Sequence, residues 1–469
     1  MTETVAVSSC TSYNRDAVYQ AVSNAIERTG TFPDVVGKRV LIKPNLLTHS
    51  KDCIERGVCT HPNVVYAVTR YVIERGGFPE IADSPGGKLS HARLKSVYLH
   101  CGIEKITTEF GLTLNYDPSY SNWDNPNGVS LKSFLIIDAV KDADIIISVC
   151  KLKTHVLTHY TGAIKNTFGV VPGLHKSMMH RRFQTISEFV NMLIDLNEIV
   201  KPNFVVMDAV VGMEGDGPNN GTPKEIGYIL ASSSIYAEDV AAQKLIGIDP
   251  LSVPTTAEAV KRGKVRITDV EIVGDEFTPL SDFRMPSYYR PQPDWIPNSK
   301  SGLRNYLHSI PRQYIGRSLR FFGLTHIYRP VISQSDCIGC GSCVRYCPAQ
   351  AIGIQDNHAH VNLKKCIHCS GCEDACPKKA ITRDTKPRGL GIIAQKFHRH
   401  IYAYPAVKPD NCIGCAQCSN ICSVDAVKIV NRKAEFNTAK CIRCYCCHEM
   451  CSYDAIEIRQ PAWKKFLRR

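Results

Sequence analysis

The chain has 469 residues, 44% of them hydrophobic and 22% charged, which excludes a disordered or fibrous polymer and leaves room for two or three domains with a sizeable core. Its formal charge of +13 is uneven: residues 284–469 hold 29 Lys and Arg against 12 Asp and Glu, leaving residues 1–283 at −4. No apolar run approaches the ~18 residues of a membrane span, and no basic segment followed by an apolar core opens the chain, so a cytoplasmic, anoxic setting is expected.

Residues 1–283 alternate short β-branched apolar runs with amphipathic stretches. The runs at 4–8, 39–42, 79–82, 144–149, 203–211, 227–231 and 265–273 read as strands. The segments at 16–28, 62–75, 90–101, 185–199 and 235–246 read as helices. The second of these has Pro62 in its first turn and Gly76-Gly77 beyond its end, the expected start and stop chemistry. Strands separated by helix-length segments predict an α/β domain with a mostly parallel sheet covered on both faces, serving as a substrate- or cofactor-binding domain.

Four polar or Gly-rich clusters each follow a predicted strand: Lys43-Pro44-Asn45, the Asp83-Ser84-Pro85-Gly86-Gly87 loop, the run from Lys151 to His155, and the run from Met213 to Pro218. Ligands of open parallel sheets bind outside the carboxyl ends of the strands, so parallel strands would bring these clusters to one edge. In an extended backbone Lys151, Lys153 and His155 share one side, with Leu152 and Thr154 on the other. Two ammonium groups and an imidazole form an anion or proton-transfer site, and these three are the expected catalytic residues. Lys43, Asn45, Lys165, Asn166, Glu214 and Asp239 are the expected cofactor-binding residues, with the stretch 158–169 feeding a helix start that adds backbone donors. The plain alternative is that strand-end lysines reach into water. The loop at Asp83 could cradle a phosphate or be an ordinary turn.

The phrases VLIKPNLL (40–47), KLKTHVLTHYTGAIKNTFG (151–169), DAVVGMEGDGP (208–218) and AEDVAAQKLIG (237–247) resemble a widespread prokaryotic family, a domain of unknown function (number three-six-two) often fused to ferredoxin modules. The resemblance covers roughly residues 1–280. It implies a pocket paired with iron–sulphur clusters and supplies no reaction.

Some signatures are absent. There is no GxxxxGK[ST] for a P-loop and no strand–GxGxxG–helix for a nicotinamide or flavin site. No C-x3-C-x2-C run stands apart, which disfavours radical S-adenosylmethionine chemistry. Cys53 and Cys59, with His61 nearby, could hold a further metal, although ordinary cysteines are the favoured reading; Cys10, Cys101 and Cys150 show no ligand spacing.

Residues 284–332, rich in Pro, Tyr and Arg, read as a basic connecting arm, partly helical around 303–319. Leu319, Phe321 and Phe322 lie among arginines there, so a peripheral membrane contact is conceivable. A basic chain also raises nucleic-acid binding, but no recognition motif or basic–aromatic platform supports it.

Beyond the arm, sixteen cysteines fall into four copies of C-x2-C-x2-C-x3-C. The copies are Cys337, Cys340, Cys343, Cys347; Cys366, Cys369, Cys372, Cys376; Cys412, Cys415, Cys418, Cys422; and Cys441, Cys444, Cys447, Cys451. This run holds [4Fe–4S] clusters, the fourth cysteine of each copy ligating the neighbouring cluster. Cluster one would take Cys337, Cys340, Cys343 and Cys376, and cluster two Cys366, Cys369, Cys372 and Cys347. Cluster three would take Cys412, Cys415, Cys418 and Cys451, and cluster four Cys441, Cys444, Cys447 and Cys422. Zinc has no use for a third cysteine at the same step, and disulfides need an oxidising compartment that nothing signals.

The segment resembles bacterial-type ferredoxins with two clusters per module. It gives two ferredoxin-like α+β modules at 333–385 and 408–460, joined by a linker at 386–407. The motifs start 29 residues apart in each (337 to 366 and 412 to 441), and AIGIQDNHAHVNLKK resembles AVKIVNRKAEFNTAK, as after a duplication. Pro348 and Pro377 follow the last cysteines of the first module, where Ser423 and Ser452 stand in the second. Cys446 is a spare thiol, read as a small packed residue. Four loaded clusters would bring the C-terminal charge to about +9, enough to steer acidic partners.

The leading expectation is an oxidoreductase passing electrons through four [4Fe–4S] clusters to a small anionic substrate or cofactor. A ferredoxin, flavodoxin or oxidoreductase would be its redox partner. The rivals are a polyferredoxin-type electron-carrier subunit, whose α/β domain docks a partner enzyme, and a metal or cofactor maturation factor.

Overall fold

The computed structural model describes residues 2–286, 329–384 and 404–459, apart from positions 49, 51, 184, 348, 367–370 and 439. Most of the predicted arm and of the linker, together with Pro348 and Cys369, lies outside the described residues.

The first domain is built on β1 (Glu3–Ser9), β2 (Arg39–Pro44), β3 (Phe78–Ile81), β6 (Ile145–His155), β8 (Phe204–Glu214), β9 (Thr222–Ser232) and β10 (Val270–Gly274). They form one sheet in the order β10-β1-β9-β8-β6-β2-β3, with β7 (His159–Thr161) added to the end of β6. A hairpin of β4 (Tyr120–Asp124) and β5 (Ser133–Ile137) stands off it. Strands β3, β2, β6 and β8 are parallel neighbours, as are β1 and β10. Strand β9 runs against both β1 and β8. The sequence did not foretell that reversal, but its cause is simple: residues 215–221 are too few for a crossover, so β8 can only return as a hairpin.

Helices cover both faces, which is why β6 is buried along its whole length. On one face lie α1 (Arg15–Thr29), α2 (Pro62–Glu74), α3 (His91–His100) and α4 (Ile103–Phe110). A short α5 (Asp138–Lys141) precedes β6, and α6 (Ala163–Asn166) and α7 (Gly173–Arg182) follow β7. Helices α8 (Ile186–Val200), α9 (Ile235–Leu245) and α10 (Pro254–Lys261) line the other face. Local chemistry sets the ends. Asn14 caps α1, which stops at Gly30 in the left-handed region (φ 62°); His61 caps α2 ahead of Pro62; Thr185 and Glu188 form a reciprocal capping box on α8. The expected strand at 265–273 begins only at Val270, after a 3₁₀ turn.

Each cysteine module is two antiparallel strand pairs, one of them a hairpin, around short helices. The first pairs β11 (Arg329–Ile332) with β14 (Ile381–Asp384) and β12 (Ile352–Gln355) with β13 (His358–Val361), and carries α11 (Ser342–Arg345) and α12 (Gly371–Asp374). The second pairs β15 (Tyr404–Val407) with β18 (Ile456–Arg459) and β16 (Val427–Val430) with β17 (Lys433–Phe436), around α13 (Gln417–Asn420) and α14 (Cys446–Glu449). Among the described residues, no helix is long and apolar enough to cross a membrane.

Candidate functional site

The polar clusters at the ends of β2, β3, β6 and β8 share one edge, because those strands are parallel and adjacent. Strand β6 does not stop at Val149. It runs on to His155, held by β7 through the pairs Lys153–Thr161 and His155–His159, with an irregularity against β8 between Lys151 and Lys153. The lysines and the histidine are therefore strand residues, while Cys150 and Leu152 pack into the opposite core.

Four buried polar groups anchor this edge. Lys43 Nζ lies 2.8 Å from Asp83 Oδ1, and Asp83 Oδ2 accepts the Leu46 N–H at 2.8 Å. Lys151 Nζ lies 2.7 Å from Asp208 Oδ2 and 2.8 Å from the Tyr13 hydroxyl. Lys153 Nζ donates to Asn45 Oδ1 and to the Val58 carbonyl, both at 2.7 Å. His155 Nδ1 accepts the Leu157 and Thr158 N–H groups at 3.0 and 3.3 Å, which leaves its proton on Nε2, 3.1 Å from Glu449 Oε1 of the second cysteine module.

That last contact stands at one wall of a partly open cavity. A space of about 80 Å³ is bounded on the sheet side by Asn45, Asp83, Lys153, Lys165, Asn166, Lys176 and His180. On the other side stand Ile421, Cys446, Glu449 and Met450. Burial lowers the ammonium groups around it: Lys153 falls to about 7, helped by Lys165 and Lys151, and Lys176 to about 7 although Asp83 pulls the other way. Lys165 is lowered too, chiefly by burial. His155 is pushed to about 3 and His180 to about 4, again by burial first. Burial opposes ionisation of Glu449, but His155, Lys165 and His180 outweigh it and hold the carboxyl below its ordinary range. The His155 and Glu449 shifts describe one state, a neutral imidazole facing a carboxylate.

Of the residues expected from sequence, Asn45, Lys153, Lys165 and Asn166 line this cavity. Lys43 sits just behind it in the Asp83 ion pair, and Lys151 is committed to Asp208. His155 is fully buried and meets the cavity only through Glu449, which makes it a positioning group rather than a direct proton donor. Two expectations are corrected. Glu214 is paired with Arg284 at 2.7 Å, away from the cavity. Asp239 lies beneath α6, accepting the Ala163 and Ile164 N–H groups at 2.6 and 3.0 Å; it braces the helix that carries Lys165 and Asn166. The phosphate-nest reading of the Asp83 loop also fails, since its Ser84 and Gly86 N–H groups point at the carbonyls of Gly169 and Leu47.

Sequence reasoning missed Lys176 and His180 on α7, and Cys446, Glu449 and Met450 on the far wall. A signal was present. Ser423 and Ser452, the departures from the first module's prolines, are both docking residues: Arg181 donates to the Ser423 carbonyl at 2.9 Å, and the Ser452 hydroxyl lies 3.3 Å from that of Thr48. Asn219 donates to the Cys451 carbonyl at 3.0 Å and Asn220 to that of His448 at 3.2 Å. The first module touches the α/β domain elsewhere, through Tyr346 and Asp124 at 2.6 Å.

The cysteine loops enclose voids of their own. Cys337, Cys340, Cys343 and Cys376 line one of about 20 Å³, and Cys412, Cys415, Cys418 and Cys451 line another of about 20 Å³. In each, three sulphurs come from one motif and the fourth from its sister. Backbone N–H groups point at the sulphurs, from Ala359 to Cys337 at 3.4 Å, Ala380 to Cys376 at 3.3 Å, Ala426 to Cys422 at 3.2 Å and Ala455 to Cys451 at 3.2 Å. Four soft donors around a closed space, with N–H bonds to stabilise the thiolates, fit an iron–sulphur cluster.

Two 4Fe-4S dicluster domain models match the chain, at residues 329–377 and 365–426. With the cysteine loops, these define an iron–sulphur electron-transfer protein. A model of a domain of unknown function (DUF362) matches residues 40–244. The chain is also 30% identical over 272 residues to the thylakoid-associated protein sll1697 of Synechocystis sp., an alignment covering 56% of this chain and 80% of that relative. The chain belongs to the DUF362 family.

Proposed function

We propose that this protein is an oxidoreductase in which a small anionic substrate or cofactor binds at the seam between the sheet edge and the second cysteine module. Lys153, Lys165 and Lys176 hold the anion, Asn45 and Asn166 orient it, and Lys153 or Lys176, titrating near 7, exchanges a proton with it. His155, 3.1 Å from Glu449, positions the carboxylate that forms the far wall. The sixteen motif cysteines would hold four [4Fe–4S] clusters in the exchanged sets given above. When bound, these supply single electrons, taken from a ferredoxin, flavodoxin or oxidoreductase docking on the first module, whose Cys340 is exposed. Such chemistry belongs in a reducing compartment, and we place the protein in the cytoplasm, with the basic arm as the segment that would meet a membrane face.

One observation carries this reading. The wall facing the lysines is α14, whose Cys446 lies between the motif ligands Cys444 and Cys447. A lysine-lined cavity thus shares a wall residue with a cluster loop, an arrangement a pure electron carrier does not need. Native mass spectrometry of anaerobically purified full-length chain tests it. We expect a bound anionic small molecule that disappears in Lys176→Met while iron stays at about sixteen per chain. An empty cavity in every preparation, with full iron, contradicts the oxidoreductase reading.

A further inference from the structure

We propose that Cys53, Cys59 and Cys101 form a mononuclear thiolate site for a thiophilic divalent cation, zinc being the probe, in the interior of the α/β domain. The three sulphurs lie within 4.8 Å of one another, and Cys53 Sγ is 3.7 Å from Cys101 Sγ. Among the described residues no other three cysteine, histidine or carboxylate ligand atoms close to that spacing. The cysteines around the two voids of the modules fall outside that spacing, as a multi-atom cluster requires. A tetrahedral zinc with Zn–S bonds of ~2.3 Å sets its sulphurs about 3.8 Å apart, which is the scale seen here.

Two chain segments build the site. Cys53 and Cys59 belong to the loop between β2 and α2, turned back on itself where the Val58 and Cys59 N–H groups donate to the Cys53 carbonyl at 2.8 and 3.2 Å. Cys101 caps the end of α3. The Thr48 carbonyl oxygen lies 3.9 Å from Cys59 Sγ and 3.7 Å from Cys101 Sγ, so it faces the same centre as a fourth donor. All three cysteines are fully buried, with no carboxylate or imidazole among them. His61 is not a ligand: it stacks on Tyr13 with ring centroids 3.7 Å apart, and its Nδ1 accepts from Asn63.

Charge favours occupation. Three thiolates and a dication leave one negative charge, and Lys153 is bonded to the carbonyl of Val58, next to Cys59. The metal would pin the loop carrying Val58 to the end of α3 and so fix one of the two acceptors that hold Lys153. The inference does not depend on the proposed function.

The test uses the full chain, purified anaerobically with its iron–sulphur loading, supplied with zinc and stripped of loosely held metal. We expect about one zinc per chain, falling at least tenfold in Cys59→Ser and Cys101→Ser with iron and sulphide unchanged. Should those variants fail to fold, zinc X-ray absorption of the unaltered chain decides, with three sulphurs at about 2.3 Å expected. Less than a tenth of an equivalent of zinc, zinc unchanged in the variants, a first shell without sulphur, or a Cys53–Cys101 disulfide in the anaerobic protein would each overturn the proposal.

Discussion

Glu449 of the second cysteine module lies 3.1 Å from His155 of the α/β domain, so a carboxylate from one domain faces a buried imidazole of the other at ion-pair distance. The two residues stand far apart in the chain, and their meeting places a cluster loop over the lysine edge. Removing Glu449 takes away the charge that faces this buried ring, at a cost of roughly 0.5–3 kcal/mol. Glu449→Ala is expected to lower the unfolding midpoint and to raise hydrogen exchange in α14 and at the end of β6. Unchanged exchange at both places would mean that the contact does not hold the seam.

The buried imidazoles fix a direction of pH dependence. His155 and His180 are held neutral down to about 3 and about 4, whereas an unfolded histidine takes up its proton near ~6.5. The unfolded chain therefore binds more protons in the interval between, and stability falls as pH drops from about 6.5 toward 4. Glu449, whose folded value is depressed, adds to the loss at the acid end of that interval. Denaturant midpoints at pH 7.5 and 5 check this, and His180→Phe is expected to flatten the difference.

Anion binding should run the other way on the alkaline side. Lys153 and Lys176 lose their protons near 7 when the cavity is empty, so affinity for an anion declines as pH rises through that value. Calorimetric titration with inorganic phosphate as the probe, at pH 6 and 8.5, should show weaker binding at the higher pH. Lys176→Met should remove most of that difference and cost on the order of tenfold in affinity at pH 6.

Gly169 has no room for a side chain. A Cβ there would sit 2.3 Å from Lys43 Nζ and 2.4 Å from Asp83 Oδ1, both buried. Gly169→Ala is expected to push the ion pair apart and destabilise the α/β domain by roughly 1–3 kcal/mol. Thermal unfolding measures this, and a neutral result would show that the pair shifts without loss.

Ser452→Pro restores the residue type found after the matching cysteine of the first module. It should leave iron content untouched while removing the 3.3 Å contact with Thr48. Arg181→Ala should act in the same direction by freeing the Ser423 carbonyl. Limited proteolysis between the α/β domain and the second module reports the loosened seam as faster cleavage.

The parts legible in the sequence are those whose signal is local. Four copies of one cysteine spacing announce the modules, and β-branched runs ending in lysine or glycine clusters announce the strand-end edge. What stayed hidden depends on distant pairing. The reversal of β9 follows from the shortness of its loop, residues 215–221. Asp239 looked like a ligand because a carboxylate beneath a helix start is indistinguishable in sequence from one facing a pocket. Lys176 and His180 gave no pattern until α7 was laid beside the Asp83 loop. Cys101 joins Cys53 and Cys59 only through the packing of α3. The far wall at Cys446, Glu449 and Met450 requires a docking event between domains, which no local spacing encodes.

The lysine edge and the loop of Cys441, Cys444, Cys447 and Cys422 are held here to be electrostatic neighbours. An anaerobic redox titration at pH 6, followed by electron paramagnetic resonance, tests this on the full chain and on the Lys153→Met, Lys176→Met double variant. Loss of two positive charges should lower the midpoint potential of one cluster by an amount on the order of tens of millivolts and leave the others in place. Identical potentials for every cluster in the two proteins would contradict the account.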